Sequence, residues 1–269
     1  MLRVKDLLEQ YHSETSKLKR RRAKSLFRYY LKHFPRTISS YVGLTRGIQT
    51  NYGVWLTPNI FDATFRLCTE GSYGTFFSNY LANYKHPFLF LDIGANQGLY
   101  SLLAAQNANC VEAFAFEPVS RTFKLLEKNI SLNQTAARIA PVQVAISDQS
   151  RTADIFLKKT HSGSASLNRH MTQLGKKSEK VQLIAAPQLD KMVTQETDIL
   201  VKLDVEGHEE TVLQELVKTR FFSQIQSIFY EVDERWSDPQ LLQGILKTEG
   251  FQNFQRIGDH AHHDILASR

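Results

Sequence analysis

Residues 88–98 read FLFLDIGANQG, and the way this stretch folds decides the reading of the whole chain. Phe88 to Leu91 is an unbroken apolar run, too short for a buried helix and typical of a strand covered on both faces. Gly94 and Gly98 then bracket a turn, and GLYSLLAAQNA continues with the composition of a helix. Strand, glycine turn and helix place Asp92, Gly94, Ala95, Asn96 and Gly98 at the carboxyl end of a strand. That edge is where open α/β sheets bind their ligands, and glycines there let a ligand approach the backbone closely.

The pattern repeats on the carboxyl side. VEAFAFE (111–117) reads as a second strand and TFKLLEKNISLN (122–133) as a one-sided helix. PVQVAIS (141–147), ILVKLDV (199–205) and SIFYEV (227–232) read as three more strands. Strands alternating with helices predict a doubly wound, largely parallel sheet with helices on both faces. FQNFQRI (251–257) and HDILAS (263–268) suit a closing antiparallel pair. Between the third and fourth strands, residues 149–186 form an insertion in which ADIFLKK and KVQLIAA are candidate strands around a long polar loop. Loops of that length are usually functional or disordered.

Composition narrows the class. The 269 residues are 42% hydrophobic, enough for a substantial core, and the only cysteines are Cys68 and Cys110. Two separated cysteines exclude a disulfide framework and fit a reducing compartment, so the expected location is the cytoplasm. No apolar run reaches membrane-span length and no secretory signal is expected. The formal charge of +6 is unevenly spread: residues 1–36 carry eleven Lys and Arg against Asp6, Glu9 and Glu14, leaving the remainder slightly acidic. The basic residues of KLKRRRAK (17–24) with Leu18, Leu26, Phe27 and Leu31 predict a basic helical arm over residues 1–49, ahead of one domain over residues 50–269. Such an arm suits an anionic membrane surface, at the inner face of the membrane, or another polyanion. A solvated helix face or a homo-oligomer contact would explain it equally well.

The turn lacks the first glycine spacing of the dinucleotide fingerprint GxGxxG. Asp92 ahead of it would repel a pyrophosphate but could accept hydrogen bonds from an ammonium group. Glu117, with Pro118 after it, ends the second strand 19 residues beyond Gly98, where a carboxylate can accept both hydroxyls of a ribose. Asp92, the Gly94–Gly98 turn and Glu117 together match the pattern of S-adenosylmethionine (SAM) methyltransferases. Ser147 and Asp148, after the third strand, are then placed at the adenine edge.

The strings LFLDIGANQGLYSLLAA, AFAFEPVSRTFKLLEKNISLN, VAISD and LVKLDVEGHEETVLQE resemble, in order and spacing, the FkbM family of methyltransferases over roughly residues 60–266. GSYGTFF resembles a further family segment that places Tyr73 at the cofactor, although Gly74 stands where the family commonly has Glu. The resemblance implies a class I Rossmann-like methyltransferase fold: a mostly parallel seven-stranded sheet with an antiparallel C-terminal strand. It also implies SAM as cofactor and O-methylation, often of sugar hydroxyls in glycolipids, surface polysaccharides or natural products. An RNA ribose methyltransferase using the basic arm is the alternative, and nucleic acid is not the expected partner.

Transfer to a hydroxyl calls for alignment and for a proton acceptor. Asp204, Glu206 and His208, at the edge of the fourth strand, are the candidate catalytic residues, with Asp204 also near the methyl-donor end of the cofactor. Ligation of magnesium by Asp204, Glu206 and either Glu231 or Asp233 is the less favoured reading, and no metal ligands are assigned. Glu209 and Glu210 read as favourable charges in the first turn of a helix. His161, Ser162, Ser164, Ser166 and Asn168 of the insertion, Glu231, and the rings of Tyr230 or Trp236 are the candidate contacts to a hydroxyl-rich acceptor.

Overall fold

The computed structural model describes residues 47–59, 62–157, 165–167 and 177–269. The basic arm up to residue 46, and His161, Ser162, Ser164 and Asn168 of the insertion, lie outside the described residues. In chain order the domain is built from α1 (Ala63–Glu70), α2 (Phe76–Asn83), β1 (Phe88–Ile93), α3 (Leu99–Gln106), β2 (Cys110–Phe116), α4 (Ser120–Ser131) and β3 (Ile139–Val142). There follow β4 (Ala145–Ile146), β5 (Thr152–Leu157), β6 (Lys177–Ile184), α5 (Ala186–Met192), β7 (Asp198–Leu203), α6 (Glu209–Val217), β8 (Ile225–Asp233), α7 (Pro239–Thr248), β9 (Asn253–Ile257) and β10 (His262–Ser268).

Seven strands make the central sheet in the order β9-β10-β8-β7-β1-β2-β3. β1 pairs in parallel with β2 and β7, β2 with β3, and β7 with β8. β10 alone runs against its neighbours, antiparallel to both β8 and β9. The class I Rossmann-like architecture expected from the sequence is therefore the one observed. All six residues of β1 are buried, because helices cover both faces of the sheet and leave no polar side for alternation. One face packs Leu89, Leu91, Val201 and Leu203 against Val212 and Leu216 of α6. The other carries aromatics, with Phe77 of α2 stacked on Phe229 of β8 at a centroid distance of 4.2 Å. Each such fully buried side chain contributes roughly 1.5–3 kcal/mol of transfer free energy.

The stretch expected as one third strand is split in two. Ile139–Val142 ends the main sheet, where Pro141 is tolerated because the strand lies at an edge. The chain then turns, and Ala145–Ile146 pairs instead with β6. β5 and β6, the two strands read from the insertion, pair antiparallel from Thr152↔Gln182 to Leu157↔Lys177. This small sheet has its own core of Val119, Ile155, Val181 and Leu183.

Strand order reverses around β1: the chain proceeds outward to β2 and β3, then returns to place β7 on the other side. The carboxyl ends of β1 and β7 consequently lie side by side, joined where the Asp204 amide donates to the Ile93 carbonyl at 3.1 Å. Two turns meet at this switch point.

Candidate active site

The first turn leaves β1. Its Gly94 and Ala95 amides donate to the Phe116 carbonyl at 3.0 and 2.9 Å, docking the turn on the end of β2. Glu117 is buried there, and its two carboxylate oxygens accept from the amides of Asn96 (3.0 Å) and Val119 (2.8 Å). Burial drives the Glu117 carboxyl up to about 7, against the downward pull of these amides. Asn96 has φ 51°, Gly94 φ 79° and Gly98 φ 86°. The glycines also have a packing role that the sequence did not show. A Cβ on Gly94 would stand 1.9 Å from the Asp204 carbonyl oxygen, and one on Gly98 would stand 2.4 Å from Leu126 Cδ1 of α4.

Asp92 is 1% exposed and faces inward. Its Oδ2 accepts from the Ser101 amide (3.0 Å) and hydroxyl (2.6 Å), capping the first turn of α3. The ammonium that Asp92 meets belongs to this chain: Lys202 Nζ lies 3.8 Å from Asp92 Oδ1 and 3.3 Å from Asp204 Oδ2, and donates to the Gly94 carbonyl at 2.7 Å. No hydrogen-bond donor among the described residues reaches Asp92 Oδ1. Burial acts to lower the Lys202 pKa, but Asp204 and Asp92 outweigh it and hold the ammonium above its ordinary range. Lys202 was not singled out from sequence, although a lysine inside the apolar run ILVKLDV is itself a signal that a buried charge needs partners.

The second turn leaves β7. Glu206 takes φ 52° and Gly207 φ 87°, so a residue with a side chain holds a left-handed conformation at the site. Glu209 explains how. It is 2% exposed, Oε1 accepts from the amides of Val205 (3.2 Å) and Gly207 (3.1 Å), and Oε2 accepts from the Ser237 hydroxyl (3.1 Å). Glu209 and Glu210 both stand in the first turn of α6, as expected; Glu209 is in addition a buried clamp on the turn, whereas Glu210 is exposed and bonded to Gln214. The Ser166 hydroxyl, buried, donates to the Glu206 carbonyl at 2.8 Å, tying the insertion to this turn.

Two cavities flank Asp204. The first is walled by Gly94, Asn96, Glu117, Pro118, Ile146 and His208. His208 Nε2 lies 3.0 Å from the Ser147 hydroxyl, which lies 3.1 Å from Asp148 Oδ1, and burial lowers the imidazole pKa. The expected catalytic trio of Asp204, Glu206 and His208 lines this one cavity, with His208 also held by Ser147. The second cavity is lined by Tyr73, Tyr100, Phe229, Asp204, Glu231 and Asp264. One carboxylate oxygen each from Asp204, Glu206 and Glu231 can lie within 4.8 Å of one another. That crowding has the hard-oxygen composition magnesium takes, and equally the like-charge repulsion that makes a buried carboxyl keep its proton. Glu231 shows the second: burial first, then Asp204, Glu206 and Asp264, drive its pKa far above the carboxylate range. Burial also brings Asp264 up to about 6. Tyr230 is 0% exposed within the core, so it cannot stack on an acceptor as the sequence suggested; Trp236 is exposed.

The family described as the Methyltransferase FkbM domain matches residues 92–267, about two thirds of the chain. The chain belongs to the FkbM methyltransferase family. It is a SAM-dependent methyltransferase, and SAM is its cofactor. No curated protein matches the sequence. Among solved structures, a protein of the NADB-Rossmann superfamily from Streptococcus agalactiae aligns with TM-score 0.45 and 12% identity, over 73% of this chain and 68% of its own. The precorrin-6y C5,15-methyltransferase of Geobacter metallireducens GS-15 gives 0.42 and 11%, over 72% and 85%. TrmK of M. capricolum, solved with S-adenosylhomocysteine, gives 0.41 and 14%, over 72% and 67%.

The residues of this FkbM domain fit the cofactor of its family. The left-handed turn at Asn96, the buried Glu117 carboxylate on the wall of the first cavity, and the partly apolar wall at Val144–Ile146 suit a nucleoside with vicinal hydroxyls.

Proposed function

We propose that this FkbM methyltransferase transfers the methyl group to a hydroxyl of a saccharide, in a glycolipid or surface-polysaccharide precursor. The observation that carries the reading is the second cavity. It is lined both by the rings of Tyr73, Tyr100 and Phe229 and by the carboxylates of Asp204, Glu231 and Asp264, the mixed lining that sugar faces and sugar hydroxyls use together. Glu117 would hold the ribose of SAM in the first cavity, and Asp204, shared by both cavities, stands where donor and acceptor sites adjoin. Bound SAM supplies an electrophilic methyl on a sulfonium. The chain supplies alignment, apolar ring surface that limits water beside the reacting atoms, and carboxylates that orient the hydroxyl and take its proton.

The test is an assay with methyl-labelled SAM against nucleotide sugars, lipid-linked oligosaccharides and RNA, with the product read by NMR. A methyl ether on a sugar ring is the expected result. A methylated RNA ribose or a methylated amine would overturn it.

A further inference from the structure

We propose that Glu231 and His262 form a proton relay from the acceptor cavity to solvent, discharged when the positively charged methyl donor binds. The geometry comes from strand register. Glu231 of β8 stands opposite Asp264 of β10, and Asp233 opposite His262, so all four residues share one face of the antiparallel pair. Two carboxyls directly opposite each other are mutually repulsive, and Glu231 answers by leaning diagonally to His262, whose Nε2 lies 2.6 Å from Glu231 Oε1. Glu231 lines the cavity and is only partly exposed, whereas the His262 side chain is 58% exposed. The pair therefore bridges the interior and bulk water.

The groups facing Glu231 set the direction of proton flow. From β7 and its turn come Lys202, Asp204 and Glu206; from β10 come Asp264 and His262; Tyr73 and Tyr100 close the aromatic side. Asp233, opposite His262, is paired with Arg235, and Lys202 is already shared between Asp92 and Asp204. The cluster holds more carboxyls than positive charge, so a proton on Glu231 relieves it. A sulfonium entering beside Asp204 supplies the missing charge, and the Glu231 proton leaves through His262 to water. The resulting carboxylate then accepts the acceptor's hydroxyl proton as the oxygen bonds to the methyl carbon and the carbon–sulfur bond gives its electron pair to sulfur. That proton follows the same route out. Only this last step rests on the hydroxyl-acceptor reading; the discharge on donor binding does not.

SAM carries one positive charge more than S-adenosylhomocysteine, which gives a test that needs no acceptor. Calorimetry of the full chain near pH 8, in EDTA and in buffers of different ionisation enthalpy, counts protons released by each ligand. The expected result is greater release with SAM, by an amount approaching one proton per site, and loss of that difference in Glu231→Gln while SAM still binds. Stopped-flow with a pH indicator then separates the relay residue. Exposed His262, replaced by Asn, should release the same number of protons more slowly, by roughly tenfold or more if the direct path is lost. Equal proton counts for the two ligands, a difference that survives in Glu231→Gln, unchanged release kinetics in His262→Asn, or a difference seen only with added magnesium would each overturn the relay. Failure of either ligand to bind would overturn the relay and the cofactor site together. Normal proton counts with no sugar methylation would overturn only the hydroxyl-acceptor reading.

Discussion

The two turns at the switch point are built alike and held differently. DIGANQG after β1 and DVEGHEE after β7 each begin with an aspartate, and each contains a left-handed residue that carries a side chain, Asn96 or Glu206, near φ 50°. In each, a buried glutamate accepts backbone amides of the turn: Glu117 from Asn96, Glu209 from Val205 and Gly207. The difference lies in where the glutamate points. Glu117 comes from the neighbouring strand and forms part of the wall of the first cavity. Glu209 comes from the turn's own helix and spends its remaining oxygen on Ser237, behind the site. One clamp faces the ligand and the other faces the protein, so the first should couple stability to ligand chemistry and the second should not.

The most damaging way to break the likeness is Gly94→Ala. The added Cβ falls 1.9 Å from the Asp204 carbonyl at a φ that disfavours side chains, and the obstacle is backbone that cannot rotate aside. The expected cost exceeds about 4 kcal/mol, enough to leave the chain largely unfolded in a urea titration. Lys202→Met comes next. It removes the ammonium shared by Asp92, Asp204 and the Gly94 carbonyl, orphaning a buried carboxylate between the two turns, and should cost about 3–5 kcal/mol in the same measurement.

Glu117 sharpens the comparison through pH. In the unfolded chain its carboxyl titrates near the ordinary 4.5, and in the fold near 7. A group whose folded pKa is raised contributes stability that is complete below the unfolded value and lost as pH rises through the folded one. The ligand-free protein should therefore lose about 3 kcal/mol from this group between pH 4.5 and 7. Glu117→Gln should flatten that part of the stability curve. Glu117→Ala should in addition abolish SAM binding in calorimetry, and unchanged affinity would refute the ribose assignment.

The strands and their order were legible because period, length and glycine placement are local properties, and β1 declares itself in six residues. Glu117 was legible for a similar reason, since a carboxylate ending the second strand has a fixed place in this topology. Lys202 and Glu209 were not, because their meaning is their partners. Nothing in LVKLDVEGHEE says which acid turns inward; that depends on the Glu206 turn reversing the chain so that Glu209 sits beneath its own preceding amides. The glycines carry a second requirement beyond the local pattern: a Cβ there would meet Asp204 or Leu126, contacts more than 25 residues away that no local pattern encodes. Tyr230 was placed on the wrong face because alternation fails in a strand buried on both sides.

The smallest expected effect, at Glu209, decides whether the two clamps differ in kind. Glu209→Gln keeps a carbonyl oxygen for the Val205 and Gly207 amides and an amide group that can donate to the Ser237 hydroxyl, so it should fold and bind SAM much as the parent does. Glu209→Ala strands two turn amides and should cost about 1–3 kcal/mol in denaturant. Because neither oxygen of Glu209 faces a cavity, the Ala variant, once folded at low temperature, should retain most of its SAM affinity, in contrast to Glu117→Ala. If calorimetry instead shows the Ala variant losing SAM as completely as Glu117→Ala while Gln restores it, the second turn is coupled to the donor site through the position of Glu206, and the two clamps act as one device.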